Sequence, residues 1–198
     1  KVSVSMTMNG AVLPVLAGGR LIGMNPGNGQ TRWDAAIATP RGITDIERLV
    51  DLVAGVSRVG ATVCVRAFQA AVGCVDTTRG ATQWTRATVG SQGLSGDEQR
   101  VYGTEADGTV VAWRRSDGER AWATDRFKHR SLSAPTLLGR TLALGDQEGN
   151  LLLLSRDDGA LLARQTTDGS AIVAQPVLAG NTLVVVTRNG AVLGLRPE

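Results

Sequence analysis

Residues 107–122 read DGTVVAWRRSDGERAW, and parts of this stretch recur along the chain. Its end, GERAW, is a Gly followed four residues later by a Trp, and its Asp-Gly start lies ten residues before that Gly. The Gly and Trp pair occurs as Gly29 with Trp33, Gly80 with Trp84 and Gly118 with Trp122. In a fourth copy, GALLA at residues 159–163, Ala163 replaces the Trp. A marker repeated in this way indicates a chain built from similar units.

Other markers repeat at a spacing of 41 residues. Between them lie short apolar runs bounded by Gly turns, such as 141–145 and 182–186, which is the pattern of β-hairpins. Runs that are apolar on both faces predict strands buried between neighbouring layers. About four strands per unit is the content of a β-propeller blade. The spaced markers are Gly108, Gly149 and Gly190, then Gly139 and Gly180, then Pro135 and Pro176.

We therefore expect an all-β chain, a single β-propeller domain fragment spanning 1–198, with an incomplete arc of about four to five four-stranded blades. A β-sandwich with coincidental Gly spacing is the alternative, but three independent markers share one step. The Trp rings are expected to fill the widening gap between blades. An arc leaves an unpaired strand edge, which predicts self-association. The units are approximately 1–40, 54–90, 91–128, 129–170 and 171–198, with an inserted inter-blade loop at 41–53.

Composition excludes several classes of protein. Glycine makes up 25 of 198 residues, about twice the usual share, without a collagen period. The net charge is +3, but the basic residues are scattered and aromatics are only 4%, which argues against nucleic-acid binding. No apolar run approaches the roughly 18 residues of a membrane span. The chain starts at Lys1 without an initiator Met or a signal peptide, so we expect a processed or truncated product.

The inserted loop is the candidate interaction surface. Thr44 and Glu47 form a capping box that predicts a short helical turn over 44–51. Apolar residues next to Arg48 and Asp51, in a segment that adds nothing to the strand repeat, are typical of a binding surface. Alternatively, the loop folds back and seals the propeller face. The predicted partner-binding residues are Ile46, Arg48, Leu49, Asp51 and Leu52, and Val50 is expected to project beside them.

The repeat resembles that of the pyrroloquinoline-quinone (PQQ) type propellers, whereas the Gly-His and Trp-Asp pairs of WD40 repeats are absent. Residues 44–51, TDIERLVD, resemble a loop of the BamB family, the propeller lipoproteins of the outer-membrane β-barrel assembly machinery. Residues 128–135, KHRSLSAP, resemble the start of that family's penultimate blade. The resemblance runs from about Val12 to Leu195. Two departures are Val53, where the family often has a second acidic residue, and Ala70, which replaces a turn glycine.

This resemblance implies an eight-bladed propeller, of which the chain is roughly the C-terminal half. It implies a non-catalytic scaffold on the periplasmic side of the bacterial outer membrane, attached by a lipid anchor outside these residues. The implied partners are the periplasmic domains of the barrel-inserting subunit, and unfolded outer-membrane proteins are further candidates. No cofactor is implied.

Catalytic chemistry finds little support in the residues. His129 is the only histidine, and no Cys, His, Asp or Glu cluster has the spacing of metal ligands, so no catalytic, cofactor or metal residue is assigned. We expect His129 to be a loop residue that bonds neighbouring backbone, and the Asp residues at turns to cap them. The alternative function is a fragment of a quinone-dependent propeller dehydrogenase. Those enzymes resemble one another in an adjacent Cys pair, a calcium site and a Trp platform, whereas Cys64 and Cys74 lie ten residues apart.

The two cysteines flank a hairpin turn near Gln69 and Ala70. A two-residue turn would point Cys64 and Cys74 to opposite faces of the sheet, whereas a three-residue turn would oppose them and allow a disulfide. Comparison with the turn at Gly149 favours the two-residue turn. We therefore expect free, buried thiols.

Overall fold

The computed structural model describes residues 13–39 and 51–196, and all its regular elements are β-strands. They form five antiparallel sheets, here called blades one to five: blades two, three and four have four strands, and blades one and five have three. Nothing in these ranges forms a helix long and apolar enough to cross a membrane. The predicted helical turn over 44–51 falls almost entirely within residues 40–50, outside the described part. The strands are β1 (Leu13–Ala17), β2 (Arg20–Met24), β3 (Thr31–Ala36), β4 (Ser57–Val59), β5 (Thr62–Ala67), β6 (Ala71–Asp76), β7 (Ala81–Ala87), β8 (Ser95–Gly96), β9 (Arg100–Thr104), β10 (Val110–Arg114), β11 (Arg120–Thr124), β12 (Thr136–Leu138), β13 (Thr141–Gly145), β14 (Asn150–Ser155), β15 (Leu161–Thr166), β16 (Val177–Ala179), β17 (Thr182–Val186) and β18 (Val192–Leu195).

The blades are arranged radially. Within each blade, strands that are neighbours in space are also neighbours in sequence. The first strands of blades two to five, β4, β8, β12 and β16, contact one another in chain order. The strands that bear Trp33, Trp84 and Trp122 lie at the outer edge of their blades. This confirms the predicted propeller architecture with four-stranded blades.

The hydrophobic core lies between blades. On β13, Leu142 and Leu144 face blade three and pack with Tyr102, whereas Ala143 between them faces blade five and packs with Leu183. All five side chains are at most 2% exposed, and burying a Leu side chain stabilises the fold by about 2 kcal/mol. Because both faces of the middle strands are covered in this way, their sequences are largely apolar, as in LLLL at 151–154 of β14.

The Trp of one blade packs on the Gly turn of the next. The ring of Trp84 lies where a side chain at Gly118 would have to be, and its indole N–H donates to the carbonyl of Arg115 at 2.7 Å. A glycine is required there because its φ is +73° and because the ring occupies the space of a Cβ. The Trp rings therefore fill the gap between neighbouring blades, as predicted. The equivalent pairs are Trp33 with Gly80 and Trp122 with Gly159.

Candidate functional site

The end of the inserted loop is tied to blade two. Of the predicted partner-binding residues, Ile46, Arg48 and Leu49 lie outside the described part of the chain, whereas Asp51 and Leu52 lie inside it. The carbonyl of Asp51 accepts a 2.8 Å hydrogen bond from the N–H of Phe68, and the N–H of Val53 donates to the carbonyl of Arg66 at 2.8 Å. A β-bridge joins Leu52 to Ala67 between them. Residues 51–53 therefore pair antiparallel alongside the end of β5, as a neighbouring strand would.

Leu52 does not project from the surface as the sequence predicted. Its side chain is 5% exposed and belongs to the apolar cluster between blades one and two, with Leu21, Ile37 and Val63. In a strand-like segment neighbouring side chains alternate in direction, so Leu52 turns inward while Asp51 stays exposed. Leu52 is thus an anchor of the loop, and Asp51 is the described residue available to a partner.

Two apolar residues near Asp51 were missed by sequence reasoning. Phe68 is 44% exposed at the tip of the β5–β6 turn, and Val89 is 58% exposed in the segment that follows β7. The N–H of Gln69 donates to the carbonyl of Gly90 at 2.9 Å, which holds the turn next to that segment. The available signal was a Phe at the turn position where blades three, four and five have Ala106, Gln147 and Arg188. We call Asp51, Phe68, Gln69 and Val89 the Asp51–Phe68 surface.

A groove of about 500 Å³ between blades two and three borders this surface. Val89 and Trp113 line it, together with the acidic Glu105 and Asp107. Hydrogen bonds from the backbone and hydroxyl of Thr109 lower the pKa of Asp107, so this carboxylate stays charged at neutral pH. The groove thus combines apolar side chains with charged groups of both signs, since Arg120 also lines it.

A buried arginine holds the groove in shape. The guanidinium of Arg66 has no exposed side-chain surface, donates to the carbonyl of Thr104 at 3.0 Å and to Glu105 at 3.2 Å, and lies 5.7 Å from the ring centre of Trp113. Burial lowers the pKa of Arg66, while the charge of Glu105 raises it. Glu105 in turn accepts a 2.7 Å bond from the N–H of Val89. One ion pair therefore connects blades two and three and positions Val89.

Cys64 and Cys74 form a disulfide, so the prediction of free thiols was wrong. Ala67 pairs with Ala71 across a three-residue turn, which places Cys64 directly opposite Cys74. The left-handed residue of this turn is Gln69, with φ +49°, since position 70 lacks its glycine. The comparison with blade four gave the wrong turn length. The turn there also holds three residues, 147–149, since the N–H of Asp146 donates to the carbonyl of Asn150.

His129 is a loop residue, as predicted. Its N–H donates to the carbonyl of Asp107 at 2.8 Å, and its φ is +66°. The described ranges 13–39 and 51–196 hold no group of three or more His, Cys, Asp or Glu side chains placed to bind a metal ion. Most turn aspartates accept backbone N–H groups within their own turns, for example Asp76 from Thr78 and Asp168 from Ser170, which confirms their expected capping role. Asp157 instead pairs with the side chains of Arg100 and Arg140.

Comparisons with known proteins agree on one family. The family model described as "Outer membrane protein assembly factor BamB" matches residues 1–124. The protein of that name from Burkholderia pseudomallei is 41% identical over 200 residues, covering 100% of this chain and 52% of that protein. The one from Bordetella pertussis is 36% identical over 188 residues, covering 94% of this chain and 49% of that protein.

Solved structures show the same architecture. The crystal structure of BamB from Moraxella catarrhalis has a TM-score of 0.85 at 24% identity, covering 95% of this chain and 56% of that one. At this identity the likeness shows the fold alone. The chain spans about half the length of the curated relatives that it matches.

Proposed function

Because the chain belongs to the BamB family of outer membrane protein assembly factors, we propose that it is a non-catalytic scaffold of the outer-membrane protein assembly machinery. In this proposal it docks the periplasmic domains of the barrel-inserting subunit through the inserted loop and the Asp51–Phe68 surface. Its place is the periplasmic side of the outer membrane, with a lipid anchor outside these residues. The observation that carries the docking role is the exposed Asp51 at the end of a loop that is fastened to β5.

The chemistry of the surface supports this role. An aromatic residue in the middle of a contact, flanked by charged groups at its rim, is typical of interfaces in which a few residues dominate the binding energy. Phe68 and Val89 supply apolar area, and Asp51 supplies the charge. The bonds that hold Asp51 and Val53 to β5 order this side of the loop, which reduces the entropy lost on binding. The sequence adds Arg48, three residues before Asp51, as a second charged group.

Charge reversal tests the proposal directly. We expect Arg48→Glu and Asp51→Lys each to weaken binding to the purified periplasmic domains by roughly 30-fold, about 2 kcal/mol, in a titration at fixed salt. The folded state should be nearly unaffected, because Asp51 is exposed. Arg79→Glu is the matched control: Arg79 is 83% exposed at the opposite end of blade two and should leave affinity within about twofold.

The alternatives give different results. If Arg48 only braces its turn through Asp51, both variants fold and bind normally, and the contact shifts to Leu49 and Phe68. If the loop merely seals the propeller face, Asp51→Lys and Arg79→Glu have equal effects. The quinone-dependent dehydrogenase is not favoured, because the relatives found are assembly factors. A clear thermal shift with the quinone and calcium would reverse that preference.

A further inference from the structure

The disulfide of Cys64 and Cys74 is sealed inside the contact between blades two and three. Both cysteines are 0% exposed, and the residues around them come from both blades. Trp84 lies across from Cys74 on β7, while Val101 and Trp113 approach from blade three. The sulfur atoms therefore become covered only when blade three packs on blade two.

Arg115 closes the remaining side. This residue follows β10 in blade three and is 6% exposed. Its guanidinium lies 3.2 Å from the sulfur of Cys64, donates to the carbonyl of Asp97 at 2.7 Å, and bonds the hydroxyl of Ser57 in blade two. The carbonyl of Arg115 also accepts the indole N–H of Trp84. A single residue of blade three thus covers one sulfur and fixes the ring beside the other.

Disulfide exchange cannot take place in this enclosure. It proceeds by attack of a thiolate on a sulfur atom through a mixed disulfide, so the oxidant must reach the cysteine directly. By contrast, the β5–β6 hairpin places the two thiols opposite each other across ten residues of sequence without any help from blade three. The reaction is therefore possible before the blades pack and blocked afterwards.

We propose that this chain is a substrate of thiol oxidation during maturation, and that its disulfide is introduced into the β5–β6 hairpin before blade three closes over it. The two thiols lose two protons and two electrons as the bond between the sulfur atoms forms. The oxidant is a disulfide compound, either a thiol–disulfide oxidoreductase or a small disulfide, and its own disulfide is reduced to two thiols. This inference does not depend on the docking role proposed above.

The order of addition tests the proposal. The chain is reduced in concentrated urea and refolded without oxygen, with oxidised glutathione added either before or after refolding. Free thiols are then counted by alkylation and mass measurement after a second unfolding. We expect the disulfide in the first arm, and oxidation about 100-fold slower in the second, because it must wait for opening of the blades. Equal rates in the two arms would overturn the proposal.

Reduction of the disulfide in the folded protein tests the same enclosure, and it does so even if the reduced chain fails to refold. Dithiothreitol should reduce the folded, oxidised protein about 100-fold more slowly than the urea-unfolded protein. Arg115→Ala should speed this reduction by about tenfold or more, because it uncovers the sulfur of Cys64. Arg114→Ala is the control and should change the rate less than about twofold, because Arg114 is exposed and paired with Asp117. Reduction of the folded wild-type protein at the rate of the unfolded one would also contradict the inference.

Discussion

Gly118 meets two demands at one position. Its backbone has φ +73°, a region in which residues with a Cβ are strained, and the ring of Trp84 fills the space in which that Cβ would lie. Gly139 has a similar φ of +57°, but nothing lies within 4 Å of its ideal Cβ position. Substitutions at the two glycines can therefore distinguish the cost of backbone strain from the cost of a clash with the preceding blade.

We expect Gly118→Ala to lower the free energy of unfolding by about 3 kcal/mol, from backbone strain plus the displaced Trp ring. Gly139→Ala should cost only about 1 kcal/mol, the strain alone. Urea denaturation followed by Trp fluorescence measures both. Equal losses would mean that the ring moves aside freely.

Asp97 is the carboxylate whose surroundings give a clear pH dependence. Burial by itself raises its pKa, but hydrogen bonds from the N–H of Arg100, the hydroxyl of Tyr102 and the N–H of Gln99 outweigh this, and the pKa of Asp97 is lowered overall. A pKa lower in the folded than in the unfolded chain stabilises the fold above the unfolded value, about 4, and this contribution is lost as the pH falls through the folded value.

Tyr102→Phe removes one of these donors, which lies 2.8 Å from the carboxylate. We expect this variant to be less stable than the wild type by about 2 kcal/mol at pH 6, and the difference to shrink as the pH falls below about 4 and Asp97 becomes protonated. Urea denaturation at a series of pH values provides the measurement. A difference that stays constant with pH would show that the hydroxyl contributes through packing only.

At the scale of strands, the outer strand of each of blades one to four joins its neighbour through a β-bulge in the same place. In blades one to three the Trp lies at this bulge and its ring packs on the next blade. The indole N–H of Trp122 donates to the carbonyl of Arg156 at 2.9 Å, whereas that of Trp33 is buried and has no partner within the described part of the chain. The four bulges lie at Gly23/Met24, Cys74/Val75, Ala112/Trp113 and Leu153/Leu154.

This difference in hydrogen bonding predicts that replacing Trp122 by Phe destabilises the fold more than replacing Trp33 by Phe. Trp122→Phe loses a hydrogen bond, while the carbonyl of Arg156 keeps its 3.0 Å bond from Arg100, so we expect it to cost about 1 kcal/mol more than Trp33→Phe, which loses none. Both rings are partly buried, which makes the pair comparable. Thermal unfolding of the two variants measures the difference. A larger loss for Trp33→Phe would mean that ring packing, rather than the hydrogen bond, sets the contact.

The strand repeat could be predicted from the sequence, but two side-chain directions could not. The spacing of Gly and Trp predicts the blades, because few other residues fit the turn geometry or fill the gap between blades. The faces of Cys64 and Leu52 depend on register, and one residue more or less in a turn reverses every side chain that follows. Ala70 removed the glycine that would have marked the turn. The exposure of Phe68 depends on neighbouring segments, which a local pattern does not contain.

At the scale of the whole chain, exposed apolar residues concentrate on one side of blade five. Val177, Val186 and Val192 are 59%, 42% and 68% exposed. They lie on the face opposite Leu183 and Val185, which pack against blade four. In a propeller this second face is the one that a following blade covers.

We expect the 198-residue chain to self-associate through this face. Sedimentation should show an average mass that rises with concentration, and the double variant Val186→Lys, Val192→Lys should remain monomeric. Leu162→Lys is the control, because Leu162 is 58% exposed on β15, away from this face, and should leave the association unchanged. A strictly monomeric wild type at high concentration would contradict the expectation.

Ala163, in the position of the missing fourth Trp, gives the chain an order of opening. Trp33, Trp84 and Trp122 each pack on a Gly turn of the next blade, but among residues 13–39 and 51–196 no aromatic ring packs on a glycine of blade five. Blade five is held by a small apolar cluster that includes Leu183. Local unfolding should therefore begin there, as a cooperative unit of its own. The amide protons of β17 should exchange with deuterium well before those of β13, so that the loss of one aromatic residue sets where the molecule first opens.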